Sequence, residues 1–331
     1  MPSAIVAAAD ASGFSGIATG DGESPGDRWT LVRGLADRAH GVPVTPDTRF
    51  GIASGSKAFT ALAVMALVDD GLLELGTAAR EVLGPDLPLI DATVTVEHLL
   101  AHRSGIGDYL DEDALGAITD YVMPVPVHCL QTTEDFIAVL DGHPQVSAPG
   151  ARFAYNNGGY VVLALIAERA SGVGFHELVR QKVFDPAGMR GAAYLRNDEL
   201  PGDVAIGYLS SGGLRTNALH LPVRGSGDGG AHVGLTDIDA FWEALFAGAI
   251  LARDVVAEMI RPRSEDPSEG KQCGLGFWLT PDGSVELEGY DAGVSFRSTH
   301  HPVDRRTHTV LSNWSDGAWP ICRALEGGSS S

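Results

Sequence analysis

Cysteine is scarce. The chain has 331 residues and three cysteines, Cys129, Cys273 and Cys322, far apart in sequence. That spacing leaves no CxxC or Cys/His zinc pattern. An odd number also argues against a disulfide framework and fits a reducing compartment. Positive charge is short as well: 23 Lys and Arg stand against 43 Asp and Glu, a formal net charge of −20. A basic surface for nucleic acid or anionic lipid is therefore excluded. No apolar run approaches the length of a membrane span. The N-terminal apolar stretch is short and lacks a basic flank, so it does not read as an export signal, and a cytoplasmic location is expected. There is no G-x-S-x-G elbow, which disfavours an α/β-hydrolase. The eleven histidines include no H-E-x-x-H pair. His98 and His102 are four apart on a helix, but no acidic third ligand accompanies them, and they read as packing residues. No metal and no cofactor are expected.

What is present is an ordinary globular composition, 44% hydrophobic and 20% charged, long enough for one large or two smaller cores. Residues 14–20 and 29–34 read as strands on either side of a Gly/Ser/Pro turn at 21–26. From 75 to 260 the chain reads as helices and loops. Thr95 is a cap for a short helix ending at His102, residues 158–171 form a strongly apolar helix, 175–184 form another, and Thr236 caps a helix over 236–246. From Gly274 the pattern turns to period two, with strands over 275–279, 284–288, 294–300 and 307–313, then a last helix over 319–325. The tail, 327–331, is polar and carries no implied function. Strands at both ends with helices between predict one antiparallel sheet built from both termini. The expected lobes are 1–74 with 263–331, an α/β lobe, and 75–262, mainly helical, with a cleft between them.

Two clusters carry candidate chemistry. The first is Ser54-Gly-Ser-Lys57 at the start of an apolar helix predicted over 58–73. Residues three apart share a helix face, so Ser54 and Lys57 point the same way where N–H groups favour negative charge. A hydroxyl beside an amine is the layout of an activated nucleophile. Ser56 points elsewhere. Taken alone, S-x-x-K is better explained by an N-cap serine and a solvated lysine. The second cluster is Tyr155-Asn156-Asn157 before the helix at 158. A phenol near a lysine can relay a proton, and Asn157 can bond the lysine or a substrate amide. Taken alone, it is better explained by a polar helix-entry turn, with Asn156 or Asn157 capping. The glycine-rich run from Ser226 to His232 reads as a loop on a cleft rim, because neither a strand nor a Lys marks it as a phosphate cradle.

The order of these blocks resembles the serine β-lactamase-like superfamily, in its class C, esterase and D-peptidase branch. The matching segments are Thr45-Pro-Asp-Thr-Arg-Phe-Gly-Ile-Ala-Ser54-Gly-Ser-Lys57, Val96-Glu-His-Leu-Leu-Ala-His-Arg-Ser-Gly-Ile-Gly-Asp-Tyr109, Pro149-Gly-Ala-Arg-Phe-Ala-Tyr155-Asn-Asn157-Gly-Gly-Tyr160 and Phe184-Asp-Pro-Ala-Gly-Met189. The resemblance covers roughly residues 13 to 316. It implies a mixed α/β fold, β-lactamase/transpeptidase-like, with a five-stranded antiparallel sheet, flanking helices and a helical lobe. It implies Ser54 as nucleophile, Lys57 as its base partner, Tyr155 sharing the proton work and Asn157 binding substrate. The family's K-T-G or H-x-G element falls on Tyr290-Asp291-Ala292, with Tyr290 where Lys or His is usual. Asp291 and Gly293 belong to the same element, and the Gly293 N–H is expected to complete an oxyanion hole with that of Ser54. Without the usual cation the site should hold a carboxylate less well, unless Arg297, His300 or Arg215 substitutes.

The expected function is a metal-independent serine hydrolase acting through an acyl-enzyme on a small ester or amide. Carboxylesterase leads, with β-lactamase or D-Ala-D-Ala carboxypeptidase/D-aminopeptidase as the alternative in the same fold. A non-catalytic binding member of the fold is the alternative of another class, and it is disfavoured because Ser54, Lys57 and Tyr155 are all present.

Overall fold

The computed structural model describes residues 2–22, 27–110, 116–266 and 270–328. Most of the turn expected at 21–26, and the end of the polar tail, lie outside the described residues. Twelve short strands occur among the described residues: β1 (Gly16–Asp21), β2 (Arg28–Arg33), β3 (Leu35–Asp37), β4 (Val42–Pro43), β5 (Phe50–Gly51), β6 (His232–Val233), β7 (Ser264–Asp266), β8 (Lys271–Cys273), β9 (Trp278–Leu279), β10 (Val285–Asp291), β11 (Val294–His301) and β12 (Arg306–Ser312). Eight form one antiparallel sheet in the order β2-β1-β12-β11-β10-β9-β8-β7. The mixed α/β class follows expectation, but the sheet has eight strands where five were expected. Two strands with no counterpart in the sequence reading, β7 and β8, sit at one edge, beside a β9 of only two residues. Short polar edge segments such as Ser264–Asp266 give little periodicity to read.

Both termini build the sheet. β1 pairs with β12 from Gly16↔Ser312 to Thr19↔Thr309, which joins the chain's beginning to its end. Helices cover both faces. On one face lie α1 (Ser3–Ser12) and α5 (Trp319–Gly328), which pack together and bury Ile5, Ala18, Leu31, Val310 and Ile321. The helix α1 was not foreseen, because its run of alanines shows no clear period. On the other face lie α2 (Lys57–Asp69) and α4 (Leu235–Ala247), and α3 (Asn157–Ser171) packs on α2. α2 is apolar almost all round and is buried from Lys57 through Leu67, as a helix enclosed on every side must be. Phe59 in its first turn meets Phe184 and Phe241 edge-on, at centroid distances of 5.2 and 5.3 Å. It ends at Asp69 instead of running to 73, with Gly71 at φ +72° in the turn that follows.

Two predicted caps turn out differently from each other. Thr95 caps as expected, accepting from the His98 N–H at 3.3 Å. α4 begins at Leu235 instead, and the Asp237 carboxylate accepts the Gly234 N–H at 2.8 Å, so Thr236 is not its cap. Among the described residues no helix is long and apolar enough to cross a membrane.

Candidate active site

Ser54 lies in a single 3₁₀ turn, Ala53–Ser56, that leads directly into α2. The preceding Ala53 has φ 44°, a left-handed backbone that costs an L-residue about 1–2 kcal/mol. The turn is held by Ser56, whose Oγ donates to the Ala53 carbonyl at 2.8 Å and accepts from the Ala231 N–H at 3.0 Å. Ser56 therefore does point elsewhere, and it ties the glycine-rich loop to the Ser54 turn. That loop is more than a rim. It runs alongside β5, with the Ile52 N–H donating to the Ala231 carbonyl at 3.0 Å.

The first turn of α2 brings Lys57 back onto Ser54. Nζ lies 2.9 Å from Ser54 Oγ, 2.8 Å from Asn157 Oδ1 and 2.7 Å from the Asp228 carbonyl oxygen. The lysine is buried, so it is not the solvated side chain that a lone S-x-x-K would allow. Its Nζ also stands 4.9 Å from the centre of the Tyr155 ring. That ring is stacked between His102 and Trp278, at 4.5 and 6.1 Å. His102 is buried, and its Nδ1 accepts the Asn156 N–H at 3.1 Å. Burial, helped by the Lys57 charge, pushes its pKa well down, so it stays neutral. Asn156 is the cap of α3, its Oδ1 accepting from the Gly159 N–H at 2.6 Å. That division of labour lets Asn157, at the first position of α3, reach Lys57.

Two half-buried carboxylates stand behind the lysine. Asp108 accepts the N–H groups of Asn157 and Gly158 at 2.6 and 2.9 Å. Desolvation outweighs those bonds and raises its pKa to about 6. Asp228 is half-buried, is likewise raised by desolvation, and accepts a hydrogen bond from the Tyr109 hydroxyl.

β10 borders the site, and here the expected assignments shift. A Cβ on Gly289 would lie 1.9 Å from the Ile52 carbonyl oxygen and 3.0 Å from the Gly55 nitrogen. Odd-numbered residues of β10 therefore face the Ser54 turn, and even-numbered ones face α5. The Tyr290 ring accordingly packs edge-on against Trp319 of α5, and its hydroxyl donates to Asp316 at 3.3 Å. Its phenol is not the cleft-facing substitute for a cation. The residue on the cleft face is Leu287, which lines a small cavity with Ser54, Lys57 and Tyr155. Gly293 is also placed differently. It sits at φ +74° in the two-residue turn between β10 and β11, and its N–H donates to Ser315 Oγ at 2.8 Å. It is thereby committed and does not serve an oxyanion. Asp291 accepts the Ala292 N–H at 2.7 Å within the same turn. By the register of β10 on β11, the Tyr290 N–H points away from β11. Ladder bonds alternate along an antiparallel strand, and Ser284 already bonds away from β11, to the Thr280 N–H at 3.0 Å.

None of the expected cationic substitutes comes from this strand pair. Arg297 is bound to Glu288 at 2.6 Å and to Glu326 at 2.7 Å. His300 stacks on Trp242 and Phe246, and Arg215 is exposed.

A larger cavity opens on the other side of Ser54. Asn157, Asn217, Asp228 and Asp291 give it polar walls, and Leu110, Tyr121, Met123, Leu200, Leu221 and Pro222 give it an apolar end. Asp108, Tyr109, Asp228 and Leu287 had no role assigned from sequence. Asp108 and Tyr109 sit inside the Val96–Tyr109 block, the one available signal for them. Nothing marks Leu287 apart from the strand register.

Comparison with known proteins identifies the family. A profile of the β-lactamase family matches residues 3–319. The crystal structure of a penicillin binding protein from Bacillus halodurans superposes with a TM-score of 0.88 at 35% identity, covering 98% of this chain and 99% of that one. The putative penicillin-binding protein PbpX of Bacillus subtilis (strain 168) is 27% identical over 86% of this chain and 67% of its own length. Esterase EstB of Burkholderia gladioli is 34% identical over 50% of this chain and 44% of its own. The chain spans 49–67% of the length of the first three curated relatives it matches. By profile, superposition and the arrangement around Ser54, the chain belongs to the β-lactamase family of serine hydrolases.

Proposed function

We propose that the protein hydrolyses a small neutral ester or amide through an acyl-enzyme on Ser54, and that it is a carboxylesterase. The observation that carries this reading is the 2.9 Å contact between Ser54 Oγ and a buried Lys57 Nζ oriented by Asn157 and the Asp228 carbonyl. Ser54 Oγ attacks the carbonyl carbon while its proton passes to the Lys57 amine, which serves as base in its deprotonated form, with Tyr155 beside it to share the transfer. The negative charge formed on the carbonyl oxygen is met by the backbone N–H groups of Ser54 and Tyr290. Collapse breaks the bond to the leaving group, which takes the proton back. Water then repeats the sequence on the acyl-serine and releases the acid.

The preference for esters is supported by what the walls offer. Leu287 stands on the cleft face of β10 where a cation would bind a substrate carboxylate, and the larger cavity ends in apolar side chains suited to an uncharged acyl chain. A relative carrying the name esterase supports the same reading. The penicillin-binding names of other relatives favour the competing reading, a β-lactamase or D-peptidase.

Side-by-side turnover of p-nitrophenyl esters, nitrocefin and a D-Ala-D-Ala peptide separates the two. Ester turnover should dominate, and fast nitrocefin turnover with inert esters would sink the esterase reading. Fluorophosphonate labelling followed by mass spectrometry should place the label on Ser54, and Ser54→Ala should remove both label and activity.

A further inference from the structure

The lysine's two oxygen anchors other than Ser54 are held by three consecutive residues outside the expected catalytic set. Asn157 is gripped at both ends. Asp108 Oδ2 accepts its backbone N–H at 2.6 Å, and the Leu110 carbonyl accepts its side-chain N–H at 3.2 Å. That grip aims Asn157 Oδ1 at Lys57. The second anchor, the Asp228 carbonyl, is carried on a loop whose Asp228 carboxylate accepts from the Tyr109 hydroxyl. The segment reaches both anchors from one side, and Tyr109 is 8% exposed. Main-chain bonds in a buried site hold position better than a surface contact, because no water competes for them.

We propose that Asp108-Tyr109-Leu110 is a positioning brace that sets the Lys57 amine on Ser54, with Asp108 and Tyr109 as positioning residues acting through Asn157 and Asp228. The inference rests on the Ser54 acyl-enzyme reading. It makes Asp108 a determinant of the proton-transfer rate while leaving substrate affinity alone. It also ties the acid limb of activity to Asp108. The charged and titratable groups facing it among the described residues are Lys57, Tyr109 and Tyr121. When Asp108 is protonated, near pH 6, its grip on the Asn157 and Gly158 N–H groups weakens and Asn157 is held less firmly on Lys57.

The test compares wild type, Asp108→Asn, Tyr109→Phe and Ser54→Ala on a neutral p-nitrophenyl ester from pH 4.5 to 9, with far-UV circular dichroism confirming the fold. The expected result is a fall in kcat of about tenfold or more for Asp108→Asn, with KM within about twofold, and a flattened acid limb. Tyr109→Phe should lower kcat in the same direction and keep the acid limb. A folded Asp108→Asn enzyme with wild-type kcat and acid limb overturns the brace. Where Asp108→Asn does not fold, Tyr109→Phe decides, and unchanged kcat there overturns it. Activity surviving in Ser54→Ala removes the acyl-enzyme reading itself. A silent Ser54→Ala beside a wild-type-like Asp108→Asn removes only the brace.

Discussion

Leu287 and Gly289 define what the cleft can hold. Both lie on the face of β10 turned to Ser54, and each acts through size or charge it lacks. Replacing Leu287 by lysine puts a cation next to the reacting carbonyl. A charge-assisted bond is worth about 1.5–3 kcal/mol, so Leu287→Lys should bind a carboxylate-bearing β-lactam roughly tenfold or more tightly. It should also lose thermal stability, because the position is 2% exposed and Lys57 is close by. Unchanged inhibition constants across the charged and neutral ligands would falsify the placement of Leu287 on the recognition face. Gly289→Ala drives a methyl into the Ile52 carbonyl, and overpacking of this kind costs about 1–3 kcal/mol. A lowered urea midpoint together with lost ester turnover is the expected outcome, since the strand cannot retreat without moving the Tyr290 N–H. Register explains why these two residues were not recognised from sequence. A shift of one position on a strand exchanges the faces, and Tyr290 by its chemistry looked more like a site residue than Leu287 did.

At the scale of elements, the start of α3 joins stability to chemistry. Asn156 closes the helix while Asn157 holds the lysine. Loss of an N-cap costs about 1 kcal/mol, and Asn156 also donates to the Ile106 carbonyl at 3.0 Å inside the protein. Asn156→Ala should therefore lower the melting temperature more than Thr95→Ala, whose cap bond is 3.3 Å long at a more open site. Equal losses in a calorimetric comparison would show that the buried bonds of Asn156 add nothing. The existence of α2, α3, α4 and the β10–β11 hairpin could be read from periodicity and turn residues. β7, β8 and α1 could not, because short polar strands and an alanine-rich helix carry no apolar rhythm.

Over the whole molecule, buried histidines set the response to acid. Desolvation holds His176, His232 and His300 at about 4, below the unfolded value of 6.5. Between those values the unfolded chain binds more protons than the folded one, so their contribution to stability is present above pH 6.5 and lost as pH falls toward 4. Asp108 acts in the opposite sense, since a pKa of about 6 makes the folded state the better proton acceptor between pH 6 and 3.8. Asp228 and Glu286 are raised like Asp108, but His102, His220 and His308 are lowered as well, so the histidines outnumber the carboxylates and the urea midpoint should fall between pH 7 and 5. A midpoint that rises over that interval would contradict the burial of these histidines. Thiol titration offers a second global check. Cys129 is exposed, whereas Cys273 and Cys322 are buried with pKa values raised to about 12. Ellman's reagent should react quickly with one thiol in the native protein and with three after denaturation.

The linear sequence determined the family, the mixed α/β class and the pairing of Ser54 with Lys57. Those depend on residues near one another in the chain or on blocks in a readable order, and local spacing is enough to align a hydroxyl and an amine on one helical turn. Tertiary structure alone decided what surrounds them. Asn157 lies 100 positions from Lys57 and Asp228 lies 171, yet both touch its amine. The face Tyr290 presents depends on how β10 pairs with β11 and lies against the Ser54 turn, and the fate of the Gly293 N–H depends on a bond to Ser315. Contacts between distant segments leave no period and no spacing in a single chain. The nucleophile was therefore legible in the sequence, and the walls that choose its substrate were not.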